Sequence, residues 1–101
     1  MGIYRAYVIS FERPIEDKFD YAEFHKKLTT AKGIEDWWHY LTNTYIVITP
    51  TSILASGVYS YLEKIAPNKV FLICELNLSN YHGLLNPKAW DWIDKYASST
   101  K

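Results

Sequence analysis

Near the end of the first apolar run stand Ser10, Glu12 and Arg13, a hydroxyl, a carboxylate and a guanidinium within four positions. Ser10 and Glu12 fall two residues apart, so on a strand they share one face. A carboxylate there can ligate a hard cation or act as a general base. The guanidinium and hydroxyl suit a phosphate. The plainer alternative is a solvated Glu12 paired with Arg13 and a bonded Ser10 hydroxyl. A second set lies in Trp37-Trp38-His39-Tyr40, where a neutral His39 suits general-base chemistry or a hydrogen bond to a base edge. The same histidine also reads as a structural residue bonded to a neighbour. Trp37, Trp38, Tyr40 and Tyr45 are rings on which bases can stack, or else core and interface packing. Tyr81 and His82 fall in a loop beside Gly83, where binding groups often sit on a rigid scaffold. His25, on a helix among lysines, reads as a surface residue.

The elements that must carry these groups follow from periodicity. Tyr4 to Phe11 is rich in β-branched and aromatic residues and reads as a strand, ended by Pro14. Asp20-Tyr21-Ala22-Glu23 matches a capping box, and Tyr21, Phe24, Leu28 and Ala31 share one helical face, giving a helix over 20–32 that stops at Gly33. Residues 35–41 and 44–49 form a strand pair turned at Thr42-Asn43, where asparagine tolerates positive φ. Thr49-Pro50 or Thr51-Ser52 reads as the start of a second helix with an apolar stripe through Ile53, Leu54, Val58, Tyr61, Leu62 and Ile65. A close approach to the sheet would account for Gly57. Residues 70–78, almost continuously apolar, read as a strand buried on both faces at its start. Asn86-Pro87 opens a short third helix anchored by Trp90, Trp92, Ile93 and Tyr96, before a frayed tail at 98–101.

The sum is α+β: a ferredoxin-like β-α-β-β-α-β order with a four-stranded antiparallel sheet and a short C-terminal helix. At 101 residues it is one domain, 1–101. Two helices cover one face of the sheet. The other is expected to be covered by a second copy, because twofold dimers dominate oligomers. The aromatic share of 17% exceeds what so small a core easily hides, which fits an interface or a binding face.

Eleven basic and eleven acidic residues leave no net charge, which argues against a tight, nonspecific duplex binder. The single cysteine, Cys74, excludes an internal disulfide and a multi-cysteine zinc site, and its apolar surroundings read as a buried thiol. There is no signal peptide and no apolar run of ~18 residues, so the expectation is a soluble, cytoplasmic protein without a membrane partner. No Gly-rich phosphate loop, nucleophile elbow or Ser-His-Asp pattern is present.

The block Tyr7-Val8-Ile9-Ser10-Phe11-Glu12, the run Trp37-Trp38-His39-Tyr40-Leu41, Thr44-Tyr45-Ile46-Val47 and the closing Pro87-Lys88-Ala89-Trp90-Asp91-Trp92-Ile93 resemble small bacterial and phage proteins labelled SinR-like. Despite that label, nothing here looks like a helix-turn-helix. Those proteins are similar in layout to the small CRISPR adaptation subunit and to virulence-associated protein D. What the resemblance implies is a homodimer in a defence or prophage setting. An aspartate at the end of strand one faces its symmetry mate there and holds Mg²⁺ or Mn²⁺ for phosphodiester hydrolysis. Glu12 stands at the matching position, its carboxylate one methylene further from the backbone. Three functions follow as expectations: a homodimeric binder of a nucleotide or single-stranded nucleic acid without efficient catalysis, a metal-dependent endonuclease sited at the dimer axis, and a scaffold for a protein partner.

Overall fold

The computed structural model describes residues 3–100. Strand β1 (Tyr4–Phe11) is followed by α1 (Tyr21–Thr29), β2 (Asp36–Leu41), β3 (Thr44–Pro50), α2 (Ala55–Ile65), β4 (Phe71–Glu75) and α3 (Pro87–Tyr96). The sheet runs β2-β3-β1-β4 and is antiparallel throughout, so the elements take a ferredoxin-like layout with a C-terminal helix.

Two cores flank the sheet. Tyr7, Ile9 and Phe11 point from β1 toward α1 and α2, where they meet Phe24, Leu28, Val58 and Leu62. Ala6, Trp38, Ile46 and Ile48 point the other way and are capped by Ala89, Ile93 and Tyr96 of α3. The second face, expected to be bare, is therefore half covered by the chain itself.

Local chemistry explains most boundaries. The Asp20 carboxylate accepts the Glu23 N–H at 3.0 Å, the expected cap. Helix α1 ends three residues before the expected limit. The Thr29 and Thr30 hydroxyls donate back to the His25 and Lys26 carbonyls, and Gly33 turns the chain at φ +97°. A Cβ on Gly33 would stand 2.8 Å from Ile53 Cδ1. Helix α2 starts at Ala55, not at Pro50, which closes β3 opposite Tyr4. The intervening chain makes a turn, closed by the Ile53 N–H on the Pro50 carbonyl at 3.1 Å, and side chains of β1 hold it: Arg5 Nε donates to the Thr51 carbonyl at 2.7 Å and the Tyr7 hydroxyl to the Ile53 carbonyl at 2.7 Å. Leu54 is thereby exposed. A Cβ on Gly57 would meet only Ile53 at 3.6 Å, an ordinary contact, so no close approach to the sheet demands that glycine.

Three further expectations are corrected. The Thr42-Asn43 turn has no positive φ; among the described non-glycine residues only Asn68 does, at 69°. Strand β4 is short and lies at the sheet edge, so Val70 and Leu72 are exposed, and Cys74 with them. The tail is tied down as far as Thr100: the Ser99 carbonyl accepts the Ile3 and Tyr4 N–H groups at 2.9 and 3.0 Å. Lys101 lies outside the described residues. No helix is long and apolar enough to cross a membrane among those residues.

Candidate functional site

Helix α3 caps the Ala6 end of the sheet and leaves the Ser10 end uncovered. Ser10 pairs with Thr44 on one side and Leu72 on the other, and the chain continues into Glu12 and Arg13. These residues meet Asn43, Phe71 and Leu72 around an open groove of about 600 Å³. Ser10, Glu12 and Arg13 are thus brought together.

Their pairing differs from the simplest expectation. Among the described residues the Glu12 carboxylate forms no ion pair, while its backbone N–H is held by the Val70 carbonyl at 3.1 Å. Arg13 instead donates from Nη1 to the Thr42 carbonyl at 3.0 Å, and its guanidinium lies 4.1 Å from the Tyr21 ring centre. That stacking holds a planar cation at the groove while engaging few of its five donors. The groove therefore has a fixed cation, a hydroxyl, an amide and a carboxylate against an apolar wall. Within the described residues no three of His, Cys, Asp and Glu stand close enough to hold a metal ion. Glu12 alone does not make a Mg²⁺ or Mn²⁺ site in one chain.

A tight polar knot anchors the connection that carries Arg13. Lys69 Nζ pairs with the Asp17 carboxylate at 2.9 Å and contacts the Tyr21 hydroxyl, which also meets Asp17. The ammonium lies 4.6 and 4.8 Å from the Tyr21 and Phe19 ring centres. The Tyr21 hydroxyl, then the Lys69 ammonium, hold the Asp17 carboxyl down at about 2. Desolvation works against the Lys69 charge, but the bonds to Tyr21 and Asp17 outweigh it and its pKa rises. Lys69 is consumed by structure, so the groove's cation is Arg13.

The aromatic strand pair does not form a platform. Alternation sends Trp37 and His39 toward α1 and Trp38 and Tyr40 toward α3. Trp38 is 2% exposed, with its indole N–H donating to the Ala89 carbonyl at 3.2 Å. Tyr45 is equally buried. Trp37 and Tyr40 keep exposed edges, on opposite faces. His39 stacks on Tyr45 and bonds the Thr44 carbonyl, the structural arrangement.

His25 is not the surface residue expected from its lysine neighbours. It is half-buried, edge-on to Trp37 at 4.8 Å, with Nδ1 2.7 Å from the Tyr45 hydroxyl. Burial, then the nearby His39, lowers its pKa, and burial pushes Tyr45 up to about 12. With Tyr45 protonated and His25 neutral the pair shares one hydrogen bond, whose direction is set by the imidazole tautomer. The one sequence signal was position: His25 follows Phe24, at the border of the apolar face of α1.

Tyr81 and His82 are kept apart from the groove. Tyr81 stacks on Trp90 at 5.6 Å, and its hydroxyl donates to the Asp94 carboxylate, which raises its pKa. His82 is exposed and makes no side-chain hydrogen bond among the described residues. Trp90 and Trp92 are both half-buried, where one buried and one semi-exposed ring is the expectation for anchors of this helix. No protein-family model, curated protein or solved structure matches the chain.

Proposed function

We propose that this protein is a small binding module for a nucleotide or single-stranded nucleic acid, working as a homodimer and without efficient catalysis. Its phosphate is held at the groove by the Arg13 guanidinium, with Ser10 and Asn43 as neutral partners and the Phe71-Leu72 wall against the sugar or base. The observation that carries this reading is the convergence of Ser10, Glu12 and Arg13 on one open groove, with Arg13 stacked on Tyr21 and turned away from pairing with Glu12. A guanidinium that is held but not neutralised recognises a phosphate at low ordering cost.

The test is a thermal-shift screen with mononucleotides, cyclic nucleotides and short oligonucleotides, with and without Mn²⁺. A ligand at a hundredfold excess over its dissociation constant stabilises by about 2.7 kcal/mol, a readily measured rise in Tm. A metal-independent rise that disappears in Arg13→Ala supports the binding module. A Mn²⁺-dependent rise with oligonucleotide cleavage, both lost in Glu12→Ala, overturns it in favour of the nuclease. No shift with any nucleotide overturns it in favour of a protein-binding scaffold.

A further inference from the structure

We infer that the outer edge of β4 is the dimer surface, pairing antiparallel with β4 of a second copy about a twofold axis at Ile73. The two four-stranded sheets then become one continuous sheet.

The backbone register dictates which groups are available. Glu12 N–H donates to the Val70 carbonyl and Leu76 N–H to the Ala6 carbonyl, so the even-numbered residues of this segment bond inward to β1. The alternation of an antiparallel ladder then leaves Phe71, Ile73 and Glu75 with N–H and C=O groups directed outward. An array centred on Ile73 is self-complementary: Ile73 meets its own copy, and Phe71 meets the partner's Glu75. This twofold pairs all five residues of the strand, and any other shortens the overlap.

The two edges of the sheet are treated differently. Strand β2 is irregular between Trp38 and Leu41 and is crossed by α3, through Tyr96 on Asp36 at 2.5 Å. Such devices blunt an edge. Strand β4 has no proline, lysine, glycine or bulge. Its one charge, Glu75, is neutralised by Arg5 at 3.0 Å. Two hollows run along its outer side, one against Val70 and Phe71 and one against Leu72 and Ile73, with Tyr59 lining both. Leu72 at 64%, Val70 at 61% and Tyr59 at 48% exposed supply apolar area beside the free backbone. A strand is the occupant that fits a row of free peptide groups, and the symmetric spacing makes this chain's own β4 its complement.

The pairing completes the groove. Leu72, part of its apolar wall, comes to lie beside the partner's Cys74, so the second copy extends that wall. It also separates the two Glu12 carboxylates by roughly 25 Å, from strand spacing and rise. A metal shared between them on the axis is thereby precluded. The inference rests on the homodimer of the proposed reading; the pairing needs no ligand, so its failure is read from mass and crosslinking and the failure of nucleotide binding from the thermal shift.

The test is disulfide trapping. Leu72 and the partner's Cys74 form a non-hydrogen-bonded pair, with Cα atoms ~4.5 Å apart, within disulfide range. Oxidised Leu72→Cys, an exposed substitution, is expected to run as a covalent dimer. Wild type and the double variant Leu72→Cys/Cys74→Ser should stay uncrosslinked. Sedimentation of the unmodified protein should give twice the 11.8 kDa of one chain. A monomeric mass, a dimer that Leu72→Cys does not trap, or trapping through Cys74 alone would each overturn the proposal.

Discussion

The His39 imidazole lies parallel to the Tyr45 ring, centroids 3.9 Å apart and planes within 1°. Its Nδ1 is 2.9 Å from the Thr44 carbonyl, which can only accept, so the proton sits on Nδ1. This couples the edge strand β2 to β3 across the irregular end of their ladder. His39→Ala should cost about 1–2 kcal/mol, the sum of a ring contact and a hydrogen bond. His39→Phe, which keeps the stack and loses the bond, should recover part of that. Urea midpoints of the two variants check the order. Equal losses would mean the stack contributes nothing.

His25 gives the protein a pH response near neutrality. Its folded pKa is lowered from 6.5 by burial and by His39, so the unfolded chain binds the proton more tightly. Stability is therefore complete above about 6.5 and declines as pH falls through that value toward the lower folded pKa. Urea unfolding between pH 7.5 and 5.5 should show this decline, and His25→Asn should flatten it. An unchanged slope in His25→Asn would place the protonation elsewhere.

Asp17 acts in a different window with the same sign, its contribution also lost as pH falls. Its carboxyl is held at about 2, against an ordinary 3.8, by Tyr21 and Lys69. The stabilisation is present above 3.8 and is lost as pH falls toward 2. Asp17→Asn should remove that acid limb while leaving the limb near neutrality intact. Because the Asp17 knot holds the segment carrying Arg13, the same variant should also weaken any ligand bound at the groove. Acid titration followed by far-UV circular dichroism reads the first effect.

Residues whose roles depend on neighbours in sequence were legible, and those whose roles depend on strand order were not. The Asp20 cap and the Asn86 cap, whose carboxamide accepts the Lys88 N–H at 2.9 Å, rest on contacts within four positions, and β1 shows in its own run of β-branched and aromatic residues. The start of α2 was misplaced because Pro50 suits a first helical turn. What overrides it is Arg5 and Tyr7, each 46 positions away from its acceptor. The apolar run of β4 looks like a buried strand, but its place at the edge follows from sheet order, which no local pattern encodes. At the site, Ser10, Glu12 and Arg13 were visible as a cluster because they are consecutive on or after one strand. Asn43 joins them only through the β1–β3 ladder, and His25 reaches Tyr45 only once α1 is laid on the sheet.

The adjacent tryptophans offer the sharpest separation of core from surface. Trp38 is 2% exposed, sits among Ala6, Ile46 and Ile93, and donates its indole N–H to the Ala89 carbonyl. It is the pin between β2 and α3. Truncating it removes a large ring from a closed site and opens a cavity, so Trp38→Ala should cost roughly 3–5 kcal/mol. Trp37, 38% exposed, has its edge-on contact with His25 as the main specific interaction. Trp37→Ala should cost only about 1 kcal/mol. Chemical denaturation of both variants, followed by circular dichroism, reads the difference directly. Costs of similar size would mean that α3 does not stay docked on the sheet. In that case the face it covers would again need a second copy.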